Sequence, residues 1–185
     1  LQTVNPPNAS VGLSQLSATG TKSSSTFLRG DNTFASAGGT NTPAFEVTLS
    51  AEQSASNDAY TKADFDTETY DTAGAYDTSN KRFTVPSGQA GKYWIWSNAC
   101  MGSNTVTTVK DAKLLIYKNG SVYKRGIWNN EANYIRYVQI SVASAMELSV
   151  GDYIEMYFQV NLSSGSVELR KDHGESTFGG FKIIE

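Results

Sequence analysis

The chain has 185 residues, a formal net charge of −3 and 18% charged residues. That is enough for one domain, or one domain with an arm, and it lacks the basic excess expected of a nucleic-acid binder. A single cysteine, Cys100, rules out an intrachain disulfide; a single histidine, His173, rules out a multi-histidine metal site in one chain; no apolar run reaches the roughly 18 residues of a membrane-spanning helix, so neither nucleic acid nor membrane insertion is expected.

The start at Leu1, with no basic segment followed by an apolar one, reads as the C-terminal part of a longer chain or as a processed start. Residues 1–42 hold three charges, Lys22, Arg29 and Asp31, among Ser, Thr, Asn and Gly. Their sparse apolar residues, including Phe27, Leu28 and Phe34, cannot offset the ordering entropy of a single copy. The segment is expected to be a linker, or an arm that gains order against copies of itself or another protein. Gly38-Gly39-Thr40-Asn41-Thr42-Pro43 marks its end.

Residues 43–185 read as β. Phe45-Glu46-Val47-Thr48-Leu49 alternates apolar and polar, as a half-buried strand does. So do residues 93–97, 122–128 and 153–160. Residues 112–117 are more continuously apolar, which predicts a strand covered on both faces. Residues 134–148 are long for one strand and are expected to bend or break near Ala143-Ser144. Phe181-Lys182-Ile183-Ile184 reads as the last strand. Lys118-Asn119-Gly120-Ser121 predicts a type I′ hairpin, and Ser149-Val150-Gly151-Asp152 a second tight turn. No stretch carries sustained helical periodicity, so the expectation is an antiparallel sandwich or barrel.

Phe65, Asp71, Tyr76 and Phe83, followed by Gly91-Lys92-Tyr93, resemble the signature of C1q domains, which belong to the C1q/TNF jelly-roll superfamily. Leu148-Ser149-Val150-Gly151-Asp152 and Phe178-Gly179-Gly180-Phe181 are similar to the family's later strands. The interval from Phe83 to Gly91 is two residues longer than the usual pattern, which predicts a larger turn at Pro86-Ser87-Gly88-Gln89. The aromatics expected after Tyr93 are replaced by Ile95 and Ser97. The resemblance implies an all-β, C1q/TNF-like jelly-roll sandwich of about ten antiparallel strands at 43–185, behind an extended anchoring and trimerising arm at 1–42. It also implies a compact homotrimer with apolar side chains along its three-fold axis. The stretch Thr26-Phe27-Leu28-Arg29-Gly30-Asp31 is similar to a connector common in bacteriophage tail-fibre and virion proteins. Phe27, Leu28, Arg29, Asp31 and Phe34 are then the anchoring residues. Arg29-Gly30-Asp31 also spells an integrin-type tripeptide, but a turn at Gly30 with local pairing of its neighbours is the preferred reading.

Family topology implies that three polar loops, at about 102–111, 128–133 and 161–176, gather at the pole away from the arm. Loops on a rigid sandwich commonly carry recognition. In the middle loop Trp128, Asn129, Asn130, Glu131, Asn133 and Tyr134 combine two aromatic rings with amides and a carboxylate, which suits stacking on a sugar. The competing reading makes Trp128 and Tyr134 inward strand-end aromatics. Lys171 and His173 belong to a charge-dense loop that is either a second part of the site or a solvated loop.

Asp64-Phe65-Asp66-Thr67-Glu68 has carboxylates on one strand face about 7 Å apart, too far for one metal ion. No metal site or cofactor is therefore assigned, although the resemblance leaves room for calcium between subunits. Cys100 reads as a small buried residue. No nucleophile motif accompanies His173, and a non-enzyme is expected. The reading is a phage virion appendage protein: a trimeric tail-fibre tip on the virion surface, held to other virion proteins by its arm and adhering to a bacterial surface glycan or protein. The alternatives are a structural capsid, head-fibre or decoration protein and a polysaccharide-degrading tail enzyme.

Overall fold

In the computed structural model, residues 17–36, 41–105, 108–130, 132–171 and 176–183 are described, and all of their regular structure is strand and turn. Two compact units divide the chain, the second beginning at Asn41. Fifteen strands follow in order: β1 Thr26–Leu28, β2 Phe34–Ser36, β3 Ala44–Thr48, β4 Gln53–Ala55, β5 Thr61–Lys62, β6 Thr67–Asp71, β7 Tyr76–Asp77, β8 Arg82–Thr84, β9 Gly91–Ser103, β10 Val109–Lys118, β11 Ser121–Asn129, β12 Tyr137–Leu148, β13 Tyr153–Leu162, β14 Val167–Arg170 and β15 Thr177–Lys182.

The described part of the first unit, residues 17–36, contains a hairpin. β1 and β2 pair antiparallel, Phe27 opposite Ala35 and Leu28 opposite Phe34. Asn32 takes φ +61°, a conformation that asparagine tolerates, and Arg29 N–H donates to Thr33 O at 2.8 Å across the turn. Arg29 and Asp31 face each other at 3.9 Å, and Asp31 accepts from Thr33 Oγ1 at 2.6 Å. The hydrogen bonds from Thr33 hold the Asp31 carboxyl below the usual carboxylate range.

The second unit is a sandwich of two antiparallel sheets. One runs β11-β10-β13-β8-β7, with β5 also on β13. The other runs β4-β14-β9-β15-β3-β6, with β12 on the free side of β9. The strand count exceeds ten partly because two strand lines are interrupted. β14 pairs with the 100–103 end of β9 and β15 with its 93–98 stretch, so the two form one line broken by an excursion. β3 and β4 repeat this beside them. β15 therefore begins at Thr177 rather than Phe181; Ile184 lies outside the described residues.

Inward side chains from both sheets meet in one aromatic core. Phe45 stacks on Phe83 at 4.7 Å and 9°, and Phe178 meets Phe45 edge-on at 5.0 Å and 85°. Each such ring stabilises the fold by about 1.5–3 kcal/mol through burial. Phe65, Tyr76 and Phe83 of the sequence signature are all core residues. Tyr76 Oη donates to Phe65 O at 2.7 Å, while Asp71 accepts the backbone N–H of Tyr76 at 2.7 Å and of Ala73 at 3.0 Å. The signature thus encodes a turn and its packing, not a reactive site. Burial pushes the Tyr76 hydroxyl well above the ordinary tyrosine value and that of Tyr93 up to about 12.

The bend expected near Ala143-Ser144 is absent. β12 pairs with β9 residue for residue, from Tyr137 opposite Gly102 to Leu148 opposite Gly91. Ala143 and Ala145 lie opposite Trp96 and Trp94, so their small size fits bulky neighbours and does not mark a break. The 122–128 strand forms, but it is mostly exposed on both faces because β11 is the edge of its sheet and has β10 alone as neighbour. Asp64 and Asp66 precede the strand instead of alternating along it; Asp66 binds the Ser50 N–H at 2.7 Å and hydroxyl at 2.6 Å. Cys100 is buried, which pushes its thiol up. The Asn119-Gly120 turn has φ of +51° and +77°, as a type I′ hairpin requires. Gln89 N–H closes the Pro86 turn at 3.1 Å.

Candidate functional site

At one end of the sandwich the strands β9, β10, β11 and β13 give way to loops that bond to one another. Asn104 N–H donates to Ser166 O at 3.1 Å, Ser163 N–H to Thr108 O at 2.9 Å, Thr108 N–H to Ile135 O at 3.1 Å and Asn130 N–H to Lys110 O at 2.9 Å. The described residues of these loops, 104–105, 108, 130, 132–136 and 163–166, therefore form one stitched surface. At the opposite end the two tight turns are joined, with Asn119 Nδ2 donating to Asp152 Oδ1 at 2.7 Å. Hydrogen bonds from Asn119 and Lys118 hold the Asp152 carboxyl down to about 2.

The candidate residues are not all together. Asn129, Asn133 and Tyr134 are exposed on the stitched surface. Trp128 instead packs against the core with Ile135, because it lies opposite inward-facing Ala112. That favours the strand-end reading for this indole. The Asn130 side chain is spent on the Asn133 backbone: Asn130 Nδ2 donates to Asn133 O at 2.8 Å, and Asn133 N–H to Asn130 Oδ1 at 3.4 Å. Glu131 and His173 lie outside the described residues. Lys171 is not at this end. It follows β14 in the excursion between the two halves of a strand line, partway along β9, and its Nζ donates to Ser50 O at 2.7 Å in the matching excursion after β3. The described residues 161–171 are thus the end of β13, a pole loop, β14 and Lys171 beside it.

Two features went unread in the sequence. Near the pole, the Tyr137 ring has Arg136 over it at 4.9 Å and Arg170 at 5.2 Å. Arg170 is fixed by Glu52 at 2.6 Å and Glu168 at 2.9 Å. The second feature is the outward face of the β9 sheet. Registers place Tyr70, Glu46, Gly179, Trp96 and Ala143 in one row across it, and Ala44, Phe181, Trp94 and Ala145 in the next. Trp94 is 40% exposed and Tyr70 46%. A Cβ on Gly179 would lie 2.7 Å from the Trp96 ring, so glycine lets that indole lie flat. The available signal was in 93–96, where aromatic or aliphatic residues occupy both parities, Tyr93 and Ile95 inward, Trp94 and Trp96 outward.

Among the described residues no three His, Cys, Asp or Glu side chains gather as metal ligands. Neither a protein-family model nor a curated protein matches the chain. Solved structures do match. The globular domain of zebrafish complement 1qA aligns with a TM-score of 0.54 at 15% identity, covering 76% of this chain and 97% of that one. Murine APRIL aligns with a TM-score of 0.55 at 14% identity, covering 76% of this chain and 98% of that one. The second unit therefore has the C1q/TNF-like jelly-roll fold that the sequence signature implied.

Proposed function

We propose that this chain is a homotrimeric, non-enzymatic binding module: the tip of a phage virion appendage, anchored by its N-terminal arm and adhering to a bacterial surface glycan or protein. The observation that carries it is the outward face of the β9 sheet. Trp94, Trp96, Phe181 and Tyr70 stand there among Gly and Ala, and aromatic surface rimmed by polar residues is typical of an interface. A second copy set against this face would bury the two indoles, and three-fold closure would leave no face open. The hairpin supports the same reading. Its Phe27 is 60% exposed and Leu28 46%, on strands of three residues each, too short to cover them without a partner. The likeness of the 26–31 stretch to phage connectors supports a virion location. Trimer and host contact together supply avidity from weak sites.

Sedimentation equilibrium and host-cell adsorption test the two halves. The expected result is a trimer at micromolar concentration that competes with phage adsorption. A stable folded monomer, or a trimer that neither binds cells nor competes, would overturn the reading. A structural capsid or decoration role is favoured by one observation, the engagement of the Asn130 side chain with the Asn133 backbone, which leaves one polar side chain fewer for a receptor. Deletion of the chain that weakens the particle without changing adsorption would support that alternative.

A further inference from the structure

We propose that the outward face of the other sheet, formed by β10, β11 and β13, binds an acidic saccharide, packing its ring against the outer side of the Tyr117–Tyr157 pair and pairing its carboxylate with Arg125. This deepens the host-binding reading and rests on it. It moves the ligand from the pole to the flank.

The face is built in layers. Leu115 is outside the main core yet only 1% exposed. Its register partners are Tyr157 on one side and Arg125 on the other, so all three share the outward face. Tyr117 stacks on Tyr157 with centroids 4.0 Å apart at 25°, over this apolar floor. The two rings cover each other's inner faces, so a ligand meets the pair at its outer faces and edges. Beside it Tyr60 is exposed and Lys113 lies 5.9 Å from its ring, while Ile127, 56% exposed, stands opposite Lys113. A phenol ring suits a ligand that is apolar on its C–H face and hydroxylated at its edge, as a sugar is.

Charge then selects the class of sugar. The carboxylates on this face are already answered. Glu155 meets Lys62 at 2.6 Å and Arg82 at 3.6 Å, Asp111 meets Lys113 at 3.5 Å, and Asp58 accepts from Gln159 Nε2. Asp77 is held by Asn80 Nδ2 and two backbone N–H groups of its own turn. Among the described residues Arg125 has no carboxylate partner, and it stands next to the stacked pair. An exposed guanidinium beside an aromatic shelf is complementary to a planar carboxylate carried on a pyranose ring. A protein partner would gain little here, because the lysines and acids already satisfy one another and would have to be desolvated.

The test uses the full-length chain on an array of uronate- and sialate-bearing glycans with neutral glycans of equal length, and soluble poly-glutamate as a non-sugar polyanion. The expected result is binding to acid-bearing glycans alone, weakened about tenfold or more by Arg125→Gln and by Tyr117→Ala. Lys124→Gln removes the same charge one residue along the strand, where the side chain points to the other side, and should change nothing. Binding of no acidic glycan, equal competition by poly-glutamate, or equal losses in Arg125→Gln and Lys124→Gln would each overturn the proposal. Trimer formation and cell adsorption are measured on the same preparations. Their absence overturns the host-binding reading, whereas an intact adsorbing trimer with a blank array overturns only this inference.

Discussion

The two outward faces of the sandwich are finished in different ways. Beyond β10 and β13 each acid has a cation or amide partner and Leu115 is covered, while among the described residues Arg125 is left without a carboxylate. Beyond β9 and β15 two indoles and a phenylalanine stand among glycine and alanine, and just one carboxylate, Glu46, shares their rows. The first face is complete in a single copy. The second is not, since its apolar area has no cover within the unit. The same strand period produces both, and the difference lies in which parity carries aromatic residues.

The largest effect should come from the bare face. Replacing Trp94 and Trp96 together by Glu is expected to weaken self-association by about 4 kcal/mol, near a thousandfold, in sedimentation equilibrium. The unfolding transition of the resulting monomer should persist. The matched change on the finished face, Tyr157→Glu, should leave the oligomer intact; if it dissociates the oligomer equally, the contrast between the faces is wrong.

Next comes Glu155→Gln, which strips the finished face of the carboxylate shared by Lys62 and Arg82. Breaking a buried pair costs more than an exposed one, and with both cations partly solvated the loss should be about 2 kcal/mol in urea unfolding, with no change in oligomeric state. Trp128→Ala should lower stability by a similar amount, about 2 kcal/mol, because its ring packs on the core. Tyr134→Ala, exposed on the same loop, should leave stability unchanged to within about 0.5 kcal/mol. If Tyr134→Ala also abolishes adsorption, the pole and not the flank holds the receptor.

The smallest effect concerns pH. Asp152 sits at about 2 in the folded chain, against about 3.9 for an unfolded aspartate. A carboxyl lowered by folding stabilises above its unfolded value, and that contribution fades as pH falls through the folded one. Asp152→Asn should therefore flatten the loss of stability between about pH 4 and pH 2, followed by thermal unfolding across that range.

Much of the fold was legible along the chain. Asn119-Gly120 gave its hairpin because both residues accept positive φ. The alternation of residues 45–49 gave a half-buried strand. The Phe65–Phe83 signature pointed to the jelly roll because its rings and Asp71 build one turn and its packing. These are local properties, set by neighbours up to about a dozen residues away or by the character of single side chains.

Register between strands is a different kind of information. It alone decided that Ala143 faces Trp96 and so that 137–148 runs straight, that Gly179 makes room for an indole and so belongs to a strand, and that Lys171 stands beside Ser50 instead of at the pole. The residue types fixed which side chains could be buried and where the chain could turn. Which faces were covered, which cations were paired and which loops met followed from pairing partners far apart in the chain, whose positions no single strand encodes.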